Sequence, residues 1–136
     1  MTERGRFPEG LLDTCVLIDI DTVDDTRLPI QPKISTITVA ELGLGVALAG
    51  SPEILTLRTE QMLEIEHVFD ALPFTDTAAR RFMTMANLIA VGGRNPKPRK
   101  MDLMIAAIAS VNDLPLFTRN ADDFRGLDQL LTVVPV

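Results

Sequence analysis

Aromatic side chains are scarce in this chain: Trp and Tyr are absent, and Phe occurs six times in 136 residues. A sheet that recognises RNA by stacking bases needs a platform of exposed aromatics, so that class of binder is argued against. The single cysteine, Cys15, excludes an internal disulfide and a cysteine-based zinc cluster. The single histidine, His67, excludes paired-histidine metal sites and leaves a histidine-centred triad without support. No apolar run reaches the roughly 18 residues of a membrane span. The polar start, Met1-Thr-Glu-Arg-Gly-Arg, is not followed by an export-type apolar segment and cleavage site. The expectation is a soluble, cytoplasmic protein with no membrane contact. A GxxxxGK[ST] loop is missing, and Gly43-Leu-Gly45 lacks the third glycine of a dinucleotide loop and reads as helix interior.

What the chain does have is enough apolar material for a core: 46% hydrophobic against 24% charged residues. Its length suits one domain over residues 1–136, with residues 1–10 expected to form an irregular N-terminal extension. The net charge of −6 hides an asymmetry. No acid occurs between Thr77 and Met101, where Arg80, Arg81, Arg94, Lys97, Arg99 and Lys100 lie; the remaining seven cations and nineteen acids leave −12 elsewhere. Arg94, Lys97, Arg99 and Lys100 share a Pro-interrupted stretch that reads either as a solvated loop or as a contact for polynucleotide phosphates, here RNA.

Short apolar strands alternate with helical segments, which argues for an α/β fold: a central, mostly parallel sheet of about five short strands between helices. Strands are expected at Leu11–Leu12, at 34–37, at 72–74, at 116–118 and at 131–134. Thr38-Val-Ala-Glu41 has the form of a capping box that opens a helix toward Ala49. Ser51-Pro52 opens another, ending near Ala71, and Thr75-Asp76 a third, stopped by Gly92-Gly93. Asp102 to Ser110 reads as a small-residue helix suited to close packing.

Ligands of parallel sheets bind beyond the carboxyl ends of the strands, and acids stand at three of those hand-over points. Asp13, set among Leu11, Leu12 and Val16, is either a cap for the next helix or a metal ligand, since a buried carboxylate needs a compensating partner. Glu41 completes the capping box and could do only that. Asp102 heads an apolar helix and could serve as its cap. Taken together, the three carboxylates would repel one another unless a cation lies between them. Oxygen-only ligation, with Asp13 and Asp102 as metal ligands, suits Mg²⁺ or Mn²⁺ rather than zinc. Beside a basic loop this equips the chain for metal-assisted phosphodiester hydrolysis. After the penultimate strand, Asn120 and Asp123 stand as supporting site residues or as parts of a hydrogen-bonded turn. Cys15 reads as a small core residue and His67 as a surface one; Met83, Met85 and Leu88 read as core or dimer packing.

The strings Leu12-Asp-Thr14, Ile37-Thr-Val-Ala-Glu-Leu42, Asp102-Leu-Met-Ile-Ala-Ala107 and Phe117-Thr-Arg-Asn-Ala-Asp-Asp-Phe124 stand in an order and spacing that resembles the PIN-domain family, and within it the VapC-type toxins of bacterial toxin–antitoxin pairs. The resemblance spans Leu11 to Val134. It implies a three-layer α/β/α fold and a Mg²⁺-dependent ribonuclease acting on RNA such as tRNA. It places the catalytic acids on Asp13, Glu41 and Asp102, with Thr14 supporting the first. Where many relatives carry a fourth acid this chain has Asn120, with Asp123 three residues on. It further implies a homodimer and a VapB-like antitoxin whose C-terminal arm enters the acidic site. Two other readings compete: a non-catalytic PIN-like or receiver-like binding module, and a metal-dependent phosphatase for small molecules. A receiver needs a lysine on its last strand, and none follows Lys100.

Overall fold

The computed structural model describes residues 5–136. Five parallel strands form a sheet in the order β3-β2-β1-β4-β5: β1 is Glu9–Leu12, β2 Gln31–Ser35, β3 Ala71–Leu72, β4 Leu116–Thr118 and β5 Val133–Pro135. The helices are α1 (Thr14–Ile18), α2 (Thr36–Ala47), α3 (Pro52–Val68), α4 (Asp76–Val91) and α5 (Lys100–Val111). Strand alternation distributes the core over both faces. Leu11 and Leu116 point into a cluster with Ala78, Met85 and Ile89 of α4 and the buried side of α5. Leu12, Phe117 and Ile34 point the other way, toward Val16 and Leu17 of α1, with Val39 and Leu42 of α2 and Ile65 of α3 against them. Covering both faces is the three-layer arrangement expected from the sequence. Alanines at 106, 107 and 109 keep α5 slim, and they lie fully buried between the sheet and α4.

Several boundaries differ from the sequence reading. The N-terminal extension is not irregular throughout: Glu9 and Gly10 are paired in β1 with Gln31 and Pro32, and the Phe7 and Pro8 carbonyls accept from the Ile30 and Gln31 amides. Residues 1–4 lie outside the described residues. Gly10 is required where it stands, because a Cβ there would lie 2.7 Å from Cδ1 of Phe117, whose ring crosses the strand and meets Phe7 edge-on. β2 begins three residues before the expected point. Pro32 is tolerated because β3 reaches only Ile34 and Ser35, so β2 has a single neighbour at that level. Helix α3 ends at Val68, β3 is Ala71–Leu72, and β5 sits about two residues later than expected. The glycine stop of α4 holds: Gly93 has φ +86°, its amide donates to the Ala90 carbonyl, and Arg94 donates to Ile89.

The decisive difference is the cap of α2. Ser35, not Thr38, is its N-cap, and the Ser35 hydroxyl accepts from the Thr38 amide at 3.1 Å. Glu41 therefore lies beyond the first turn and completes no capping box. It is released from a local role.

Candidate active site

The strand order reverses direction around β1, with β2 on one side and β4 on the other, and that is where crevices form beyond the carboxyl ends of parallel strands. Asp13 follows β1 directly and is 4% exposed. It also caps α1, so the two readings offered by the sequence coexist. Its Oδ1 accepts from the Thr14 amide at 2.9 Å, and its Oδ2 accepts from the Thr118 hydroxyl at 2.8 Å and from the Cys15 thiol at 3.6 Å. Burial raises the Asp13 carboxyl above its ordinary 3.8, while these donors pull it back and Asp123 adds a smaller upward push.

Glu41 stands at the end of a line of hydroxyl groups. Its Oε1 accepts from Thr14 Oγ1 at 2.7 Å. A carboxylate only accepts, so the one Thr14 hydroxyl hydrogen is committed to Glu41, and Thr14 must accept from Thr38 Oγ1, 2.8 Å away. Thr38 is thereby the donor in that contact and accepts in turn from Ser35 Oγ at 3.4 Å. The order runs Ser35, Thr38, Thr14, Glu41, each hydroxyl with one direction only. Ser35 and Thr38 are fully buried. Among the described residues no buried side-chain polar atom lacks a partner.

Asp102 lies in the first turn of α5 rather than at its cap, which is Arg99. It is half-buried, and its carboxyl is pushed up to about 6, first by burial and then by the negative charges of Asp13, Glu41 and Asp123, with Arg99 opposing. The three acids named from the sequence are thus brought into one electrostatic neighbourhood, although among the described residues no three His, Cys, Asp or Glu side chains stand close enough to grip one ion together. The other candidates separate. The Asp123 carboxylate is held by Arg99 at 2.5 Å, while the exposed Asn120 points its amide toward Cys15 Sγ at 3.9 Å. Arg94 is a strap, its guanidinium bonded to the backbone carbonyls of Asp123 and Arg125. Arg99 ends a short 3-10 turn begun at Lys97, and Lys100 opens α5; Lys97 and Lys100 are exposed.

Thr118, Thr38 and Ser35 were missed as site residues. The signal for Thr118 is its place at the end of an apolar strand opposite Asp13; for the other two it is the hydroxyl run Ser35-Thr-Ile-Thr38, which capping alone accounts for on paper. Cys15 is partly buried against the core cluster of Leu12 and Val16, as expected of a small core residue, and its thiol, raised by burial, also neighbours Asp13. His67 is exposed in the last turn of α3, as expected.

No protein-family model matches the chain. It is 35% identical over 129 residues to ribonuclease VapC5 of Mycobacterium tuberculosis (strain ATCC 25618 / H37Rv), covering 91% of each chain. The chain belongs to the VapC ribonucleases. Its fold matches the crystal structure of VapBC-5, a member of the VapBC family of toxin–antitoxin systems, also from M. tuberculosis. The TM-score there is 0.82 at 32% identity, over 95% of this chain and 99% of that one. VapBC2 from Rickettsia felis, solved with a promoter DNA fragment, superposes with a TM-score of 0.75 over 94% of this chain and 98% of that one; at 16% identity this is a likeness of fold alone.

Proposed function

We propose that this chain hydrolyses RNA phosphodiester bonds with Mg²⁺ or Mn²⁺ held by Asp13 and Asp102, and that Glu41 completes the catalytic set. The observation that carries this reading is the position of Asp102, half-buried in the field of three other carboxylates with a single arginine opposing them. A divalent cation supplies the positive charge that such a cluster lacks. Mg²⁺ is commonly held by one or two carboxylates and completes its coordination with water and substrate phosphate, so the absence of a three-acid grip among the described residues is compatible with it. When bound, the ion supplies Lewis-acid polarisation of the phosphoryl oxygen and a water of lowered pKa.

The remaining work falls to the protein. Thr118 and the Thr14 amide hold Asp13 at fixed angles. The hydroxyl line ending on Glu41 Oε1 fixes that carboxylate and leaves Oε2 to accept a proton or orient a water. Lys97 and Lys100, exposed just before and at the start of the helix that carries Asp102, meet the RNA backbone, while Arg99 is paired with Asp123. Arg94 holds the loop to the turn that carries Asp123. The substrate class includes structured RNA such as tRNA, the protein works in the cytoplasm as a homodimer, and a VapB-like antitoxin neutralises it by placing a cationic side chain among the same acids. The exposed Met83 and Val91 of α4, 62% and 86% accessible, support a second copy on that face.

Incubation of total RNA with the protein in Mg²⁺ or in EDTA, followed by mapping of new 5′ ends, tests the activity. Defined new ends are expected in Mg²⁺ alone, and Asp13→Asn should reduce them at least about 100-fold while circular dichroism stays unchanged. Cleavage by Asp13→Asn at the wild-type rate, or undiminished in EDTA, would refute the proposal.

A further inference from the structure

Beside the acids, between the end of α4, the basic loop, the start of α5 and the 121–125 turn, lies a cleft of about 300 Å³. Its floor is apolar, made by Ile89, Leu103 and Pro98. Its walls carry Asn95, three guanidiniums (Arg94, Arg99, Arg125) and two carboxylates (Asp122, Asp123). We propose that this cleft receives one nucleobase of the RNA next to the scissile phosphate, and that guanine fits it best.

The inference rests on the ribonuclease reading and adds a determinant of sequence preference to it. The volume stands at the small end of ligand pockets and suits a single nucleotide unit. A phosphate is the poorer occupant, because the Arg99 and Arg125 charges are already paired with Asp123 and Asp122, which it would have to displace. A base instead offers flat apolar faces to the floor and to guanidinium planes, and a polar edge to the walls. Guanine alone among the four presents paired acceptors, O6 and N7, to an arginine, together with paired donors, N1–H and the N2 amino group, to a carboxylate. The arginines are already held: Arg94 by two backbone carbonyls, Arg99 by Asp123, and Arg125 by Asp122 at 3.1 Å. Walls ordered before binding lose less conformational freedom when a ligand arrives. The cleft also adjoins the acids directly, since Leu103 follows Asp102 in α5 and Asp123 both lines the cleft and acts electrostatically on Asp102.

Titration of the metal-free protein with GMP, AMP, CMP, UMP and inorganic phosphate, followed by amide NMR, tests this. GMP should shift the Asn95, Arg99 and Leu103 amides at the lowest concentration of the four nucleotides, and inorganic phosphate should leave them in place. Arg125→Ala, a mostly exposed position, should weaken GMP binding about tenfold with the rest of the spectrum unchanged. The proposal is overturned if no nucleotide shifts these amides at millimolar concentration, if phosphate alone reproduces the shifts, if another base binds more tightly, or if Arg125→Ala binds GMP as the wild type does. Failure of RNA cleavage with GMP binding intact would count against the ribonuclease reading and not against the cleft; cleavage with no nucleotide binding would count against the cleft alone.

Discussion

At the scale of single residues, the site is defined by what each oxygen is already doing. Asp13 has both carboxylate oxygens engaged by hydrogen-bond donors, whereas Asp102 is surrounded chiefly by other negative charge. The consequence for stability has a definite sign. Ionising Asp102 is harder in the folded chain than in the unfolded one, so the fold is favoured while the group is protonated and loses that advantage as pH rises from about 3.8 to about 6. Asp13, also raised, acts in the same direction. In EDTA, Asp102→Asn should therefore melt at a higher temperature than wild type at pH 7 and at nearly the same temperature at pH 4. Thermal unfolding at the two pH values checks this, and a constant offset between the proteins would contradict it. The hydroxyl line makes a second prediction at this scale. Thr38→Val keeps the shape of the side chain but removes the donor to Thr14, and should weaken Mn²⁺ binding about tenfold, as loss of an outer hydrogen-bond partner does at other metal sites. Thr38→Ser, which keeps the hydroxyl, should restore most of it. Equal affinity for Thr38→Val and wild type in a calorimetric titration would show that the line orients nothing that matters to the ion.

At the scale of elements, the most informative features are the caps. Ser35 begins α2 three residues earlier than a capping-box reading of Thr38 and Glu41 suggests, and that shift frees Glu41 to face Thr14. A one-dimensional pattern offers two serine or threonine caps three residues apart, and local propensity alone does not choose between them. The choice is made by β2, which runs to Ser35 because Ile34 and Ser35 pair with Ala71 and Leu72, strands far apart in sequence. The end of α5 shows the opposite case, a local motif built with an unfavourable residue. Asp113 occupies the left-handed position at φ +54°, with Leu114 donating back to Ala109 and Asp113 to Ser110. Glycine is the usual occupant of that place, since a Cβ is strained there. Asp113→Gly should raise unfolding stability by roughly 0.5 kcal/mol, the relief of strain exceeding the added freedom of the unfolded chain. Urea denaturation measures it, and a lower midpoint at equal slope would contradict this reading of the turn.

At the scale of the whole molecule, the layered α/β arrangement and the three acids were legible in the chain itself. Strand-to-helix junctions are punctuated by residues with strong local preferences, but only Asp13 stands at one: Glu41 lies in the middle of α2, and Asp102 lies in a helix that follows a 3-10 turn rather than a strand. Less legible was how the supporting groups divide their work. Arg94 and Arg99 look like neighbours of one kind in the sequence, yet one ties loop to turn through backbone carbonyls and the other neutralises Asp123. Thr118 and Asp13 are 105 residues apart, and only the pairing of β1 with β4 makes them partners. Long-range pairing decided the roles that composition and periodicity left open.

In the proposed mechanism Asp13 and Asp102 share one divalent ion. Calorimetric titration of the metal-free protein with Mn²⁺ at pH 7 tests it most directly. Saturable binding is expected in the wild type, lost in both Asp13→Asn and Asp102→Asn while their circular dichroism spectra remain those of the folded protein. Wild-type affinity retained by either variant would show that the two carboxylates do not serve the same ion.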